Sequence, residues 1–98
     1  MTYVIDPERN EVRALRSLTS WKDKHVLEIG SGDGRLARRL AALGARLEGM
    51  EPDAALVREA RLSTPPRFAH RLHYRRGDAQ RMRYPDEAFD VVIFGWAL

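Results

Sequence analysis

The stretch His25-Val-Leu-Glu-Ile-Gly-Ser-Gly-Asp-Gly-Arg-Leu36 leaves this chain few ways to fold. Val26, Leu27 and Ile29 form an apolar run too short for a helix, which predicts a strand covered on both faces, as in a parallel sheet. Gly30, Gly32 and Gly34 then alternate through a turn, where glycine takes positive φ without a Cβ clash and lets a ligand approach the backbone. Leu36, Leu40 and Leu43 follow at helical spacing beside Ala37 and Ala41, with Arg35, Arg38 and Arg39 on the other face. An amphipathic helix is expected, stopped at Gly44. Its free N-terminal amides point back at the turn, so strand, turn and helix together make a seat for a ligand. The same glycines also suit a tight strand-to-helix connection that binds nothing.

A chain of 98 residues holds at most one domain. It has no cysteine, which excludes disulfides and thiolate metal sites and makes a reducing, cytoplasmic setting the simplest expectation. No apolar run approaches the ~20 residues that span a bilayer, and the first residues lack a basic start, so a soluble, unexported chain with no membrane partner is expected. The net charge of +3 is unevenly placed: from Arg58 to Arg83 eight arginines stand against Glu59 and Asp78. Such a patch suits a polyanion, and equally a solvated helix face and loop.

Asp6-Pro7-Glu8 is a helix-start signal that predicts a first helix over 7–18, with Val12, Leu15 and Leu18 as its apolar stripe. Trp21 is expected to pack. Ala45 to Glu51 reads as a second strand, and Asp53 as the N-cap of a helix with Ala55, Leu56, Ala60 and Leu62 on its inner side. Thr64-Pro65-Pro66 stops it. Residues 67–70 read as linker, and Arg71 to Arg76 as a third strand, with Leu72 and Tyr74 on one face. Residues 80–88 read as a loop, and Phe89 to Gly95 as a fully buried fourth strand. Strands alternating with helices predict an α/β fold with parallel pairing and right-handed crossovers.

Three acids fall at or beside successive strand ends: Glu28, Glu51 and Asp78. Open α/β sheets bind ligands there. A carboxylate at the second strand end suits the two hydroxyls of a ribose, and Asp78 suits an exocyclic amine such as that of adenine. The dinucleotide fingerprint requires glycine or alanine where Arg35 stands, which disfavours NAD. No lysine followed by serine or threonine follows the glycines, which excludes a phosphate-cradling loop. Acids beside the turn repel pyrophosphate but suit a ligand bearing an ammonium and a sulfonium. Each acid also has a structural alternative: Glu28 as acceptor for its own turn, Glu51 as the residue before a capped helix, Asp78 as a turn residue. Asp33 reads as a helix-start residue. His25, His70 and His73 lack metal spacing and read as solvated or strand-edge side chains, so no metal is expected.

Glu28-Ile-Gly30-Ser-Gly32-Asp-Gly34, Gly49-Met-Glu51-Pro-Asp53, Gly77-Asp78-Ala79 and Pro85-Asp-Glu-Ala-Phe-Asp-Val-Val-Ile93 resemble, in order and spacing, the motifs of class I S-adenosylmethionine-dependent methyltransferases, in their ubiquinone-biosynthesis and small-molecule flavour. The resemblance covers about residues 25–98. It implies a Rossmann-like parallel sheet with strand order 3-2-1-4, the first part of the family's 3-2-1-4-5-7-6. It implies S-adenosylmethionine as cofactor, with Gly30, Ser31 and Gly32 in the turn that holds the methionine end beside Glu28. Glu51 would take the ribose, Pro52 would lie beside the adenine, and Asp78 and Ala79 would meet its amine and ring.

The chain departs from the family in stopping after the fourth strand, so the cofactor half is expected without most of the acceptor pocket. The fourth strand is expected to be an edge. Val91, Val92, Ile93, Phe94 and Trp96 would each lose about 1.5–3 kcal/mol if exposed, which predicts a missing half or a second copy pairing with that strand. Phe94-Gly-Trp-Ala97 is not the Asn/Asp-Pro-Pro-aromatic motif of the resembling amine methyltransferases, so nucleic-acid amines lose support as acceptors and a small molecule is expected. No catalytic base can be named. The alternative is a cofactor-binding module, or inactive half-domain, without transfer activity.

Overall fold

The computed structural model describes residues 3–5, by their backbone, together with 20–77 and 88–95. The expected helix over 7–18, the Asp78-Ala79 pair and Trp96 lie outside them. The elements are β1 (Tyr3–Ile5), β2 (His25–Ile29), α1 (Arg35–Ala42), β3 (Arg46–Glu51), α2 (Ala54–Leu62), a 3-10 turn (Pro66–Phe68), β4 (Leu72–Arg76) and β5 (Val91–Phe94).

All described strands pair in parallel, in the order β1-β5-β2-β3-β4. The four strands read from the sequence therefore lie in the expected order 3-2-1-4. The expected open edge at β5 is different: β1 pairs with it, Tyr3 against Val91, Val4 against Val92 and Ile5 against Ile93. Tyr3-Val4-Ile5 is a short run of strand-forming residues, and it gives the β5 backbone a partner. Val91, Val92 and Ile93 are all buried, so the cost of exposing them is not incurred.

The sheet separates two apolar clusters. Val26, Leu47, Leu72, Tyr74, Val91 and Ile93 face one side, where Ala37, Leu40 and Ala41 of α1 and Val57 and Ala60 of α2 cover them, with Trp21 also buried there. Leu27, Ile29, Phe89 and Val92 face the other. The two-residue alternation of the strands accounts for the split.

Helix α1 ends where the sequence places its stop. The Ala45 amide donates to the Leu40 carbonyl at 3.1 Å and the Gly44 amide to Ala41 at 2.9 Å, with Gly44 at φ 100°. That is a Schellman closure, which needs a left-handed residue at this position. Helix α2 starts as expected, with Asp53 Oδ1 accepting the Ala55 amide at 2.9 Å. Its inner side is a correction: Val57 and Ala60 are buried, while Ala55 is exposed and Leu62 is 80% exposed. At 3.6 residues per turn, Leu62 lies about 140° round the helix from Val57, too far to share its face. The start of the expected 67–70 linker joins Pro66 in a 3-10 turn, Pro66–Phe68, closed through the Phe68 amide and Pro65 carbonyl at 2.9 Å.

Candidate functional site

The carboxyl ends of β2, β3 and β5 meet at the glycine turn. Gly30, Gly32 and Gly34 have φ of 78°, 56° and 85°, so all three need the left-handed conformation that the alternating pattern predicts. The turn is fastened from below: the Met50 carbonyl accepts both the Gly30 amide at 2.7 Å and the Ser31 amide at 3.1 Å. On the β5 side the Gly95 amide donates to Ile29 at 2.6 Å, and a Cβ on Gly95 would collide with the Gly30 carbonyl oxygen. Backbone therefore meets backbone on both flanks of the turn.

Glu51, at the end of β3, is buried and uses both carboxylate oxygens. Oε1 accepts the Gly32 amide at 3.0 Å and Oε2 the Asp53 amide at 2.9 Å. One side chain thus joins the glycine turn to the start of α2. Each oxygen keeps a second lone pair, so a vicinal diol can still donate to it. Pro52 beside it is exposed.

Glu28 lies one strand away, opposite Gly49 on β3 and Ile93 on β5. It is 3% exposed, and Oε1 has no hydrogen-bond partner; Ser31, also buried, leaves Oγ unpartnered as well. Burial pushes the Glu28 carboxyl up to about 8, and the neighbouring charges of Asp33 and Glu51 add to the shift. At neutral pH this carboxyl is mostly protonated. Two buried orphan groups beside a glycine turn fit a cationic, hydrogen-bonding ligand such as the amino-acid end of S-adenosylmethionine, whose ammonium would favour the carboxylate form.

Asp33 belongs to the helix start, as expected: Oδ1 accepts the Arg35 amide at 3.1 Å, and its carbonyl accepts from Arg38 Nη1 at 2.7 Å. The structure thus brings Glu28, Gly30, Ser31, Gly32 and Glu51 together. Asp78 and Ala79 follow Gly77, whose amide donates to the Glu51 carbonyl at 3.1 Å, so the backbone leading to them is tied to the same strand end. No group of three or more metal-ligating side chains occurs among the described residues.

Sequence reasoning placed Gly49 in a motif and Tyr74 on a strand face, but missed their contact beneath the turn. A Cβ at Gly49 would lie 2.6 Å from Tyr74 Cδ1 and 2.9 Å from Ser31 Cβ, so glycine here lets Tyr74 and Ser31 pack beneath the turn. Burial is the main influence on the Tyr74 phenol, pushing it up to about 12 against the opposing pull of Arg38. The signal was present as a glycine inside a strand, which marks a close approach.

Residues 27–98 match the methyltransferase domain family. A ubiquinone biosynthesis O-methyltransferase of Azorhizobium caulinodans is 36% identical over 78 residues, which are 80% of this chain and 30% of that protein. One from a Bradyrhizobium is 31% identical over 94 residues, or 95% and 36%. An S-adenosylmethionine-dependent methyltransferase structure from Mesorhizobium loti superposes with a TM-score of 0.76 at 25% identity, covering 89% of this chain and 40% of that one. The chain spans about a third of the length of the curated relatives it matches. A family match over residues 27–98 and a parallel sheet shared with such enzymes give one conclusion: the chain belongs to the methyltransferase domain family, among the class I S-adenosylmethionine-dependent methyltransferases.

Proposed function

We propose that this chain forms the cofactor-binding part of a methyltransferase that moves the methyl group of S-adenosylmethionine to a hydroxyl-bearing small molecule. The observation that carries the reading is the Glu51 bridge: a buried carboxylate that holds the glycine turn at 3.0 Å and stands at the strand end where a ribose would lie. The names of the relatives, O-methyltransferases of ubiquinone biosynthesis, support a small acceptor.

When bound, the cofactor supplies a methyl group already activated by its sulfonium. The chain's own residues would bind and orient it. Gly30, Ser31 and Gly32 would face the methionine end with the turn's backbone, and Glu28 would take the ammonium. Glu51 would accept from the ribose hydroxyls, with Pro52 beside the base, and Asp78 and Ala79 would meet the adenine edge. Alignment at such a site supplies much of the rate.

Calorimetric titration of the protein with S-adenosylmethionine tests the site. Binding with at least a tenfold loss in Asp78→Ala is expected; unchanged affinity removes Asp78 from it. Release of S-adenosylhomocysteine on addition of hydroxyl-bearing acceptors tests transfer, and binding without release leaves a module that holds the cofactor only.

A further inference from the structure

The opposite end of the sheet carries a second polar surface that the cofactor reading does not use. His25, Arg46 and Arg71 form one row across the starts of β2, β3 and β4. His25 pairs with Arg46, and Arg71 stands one residue before the Leu47–Leu72 pair, its carbonyl accepting the Leu47 amide at 2.7 Å. Strands lie about 4.8 Å apart, so two arginines and a histidine are set side by side on one face. Like charges so placed repel.

Five of the ten described arginines are engaged; Arg39, Arg58 and Arg75, like Arg46 and Arg71, are not. Arg35 pairs with Asp33, Arg38 with the Asp33 carbonyl, Arg61 with the Tyr74 carbonyl, Arg76 with the Pro52 carbonyl, and Arg67 lies over the Phe68 ring. Among the described residues Arg46 and Arg71 have no ion pair or side-chain hydrogen bond, and both are exposed. They line a groove of about 390 Å³ with His25, His70, His73 and Glu48. The nearby acids offset the row only in part. Glu48 stands beside His73 in the next row, and Asp90 Oδ2 already accepts the His25 amide at 2.8 Å.

We propose that this groove binds the phosphodiester backbone of single-stranded RNA, with one phosphate between Arg46 and Arg71. Beyond them His73 lies on the same face of β4, about 6.6 Å from Arg71, the two-residue repeat of a strand, which suits the next phosphate of an extended chain. A membrane surface fits less well, because the only exposed large apolar side chain among the described residues is Leu62, on α2 and away from this row. The groove lies at the amino ends of strands whose carboxyl ends carry the glycine turn, so this binding is independent of the cofactor.

Fluorescence anisotropy with a labelled oligouridine of about twelve nucleotides tests it, without cofactor. The double variant Arg46→Ser, Arg71→Ser is expected to lose at least tenfold in affinity and to lower the slope of log affinity against log salt by about one. Arg39→Ser, on the exposed side of α1, is expected to bind as wild type. Glu48→Gln removes the opposing carboxylate and is expected to bind more tightly, a gain that misfolding cannot mimic. Equal loss in Arg39→Ser, no gain in Glu48→Gln, equal competition by inorganic phosphate, or binding to phosphatidylglycerol vesicles but not to oligouridine would each overturn the proposal.

Discussion

The Gly32 amide donates to Glu51 Oε1 at 3.0 Å, across 19 residues of sequence, and so ties the glycine turn to the end of the neighbouring strand. Because Oε2 also holds the Asp53 amide, Glu51→Ala orphans two donors at once. Hydrogen bonds to a charged group contribute about 1.5–3 kcal/mol each, so a loss of about 3–6 kcal/mol is expected in urea unfolding, with Glu51→Gln in between. Equal midpoints for wild type and Glu51→Ala would show that the bridge does not hold the turn.

Glu28 predicts a pH dependence of definite sign. Its carboxyl lies at about 8 in the folded chain, against the 4.5 of a freely solvated glutamate. The folded state therefore holds a proton that the unfolded chain releases between those values. The associated stability is whole below about 4.5, declines as pH rises through the window, and is lost above about 8. Glu28→Gln stays neutral throughout, so its stability relative to wild type should rise between pH 5 and pH 8 by up to several kcal/mol, at about 1.4 kcal/mol per pH unit. Denaturation at three pH values measures this, and parallel profiles would contradict it.

Cβ atoms placed at two glycines should have unequal consequences. Gly49→Ala meets side chains, Tyr74 and Ser31, and is expected to cost about 1–3 kcal/mol, part of which Tyr74→Leu in the same chain should recover. Gly95→Ala meets the Gly30 carbonyl, which cannot move without distorting the turn, so no neighbouring substitution should rescue it. Thermal midpoints of the single and double variants decide between these outcomes.

Arg61 predicts local rather than global weakening. The Arg71 carbonyl faces β3, so by alternation the Tyr74 carbonyl faces the open edge, where Arg61 donates to it from Nε at 3.2 Å and Nη2 at 2.7 Å. Arg61→Ala should cost about 1–2 kcal/mol. Hydrogen exchange should quicken first at the β4 amides; uniform acceleration over the sheet would refute an edge-specific role.

Much of this arrangement was legible in the residues. Val26 to Ile29, the three glycines and the spacing of Leu36, Leu40 and Leu43 specify a strand, a left-handed turn and a helix because each step is a local steric or periodic rule. The convergence of Glu28 and Glu51 followed from parallel pairing. The partner of β5 did not, since Tyr3-Val4-Ile5 is only three residues long and its pairing across more than eighty residues leaves no local trace. The inner face of α2 was misread for a related reason: Ala55 and Leu62 are apolar, but position round the helix, not apolarity, decides what is covered. The bond from the Gly32 amide to Glu51 was also hidden, because partners 19 residues apart are visible only once the sheet is assembled.

The contact of Gly95 with Gly30 is made by main chain alone. The relative height of two neighbouring strand ends is consequently set by covalent dimensions, which hardly vary, rather than by the volumes of side chains, which do. Residues deeper in the sheet can exchange bulk with one another while the mouth above them keeps its width, so drift in the interior and fidelity at the rim are decoupled.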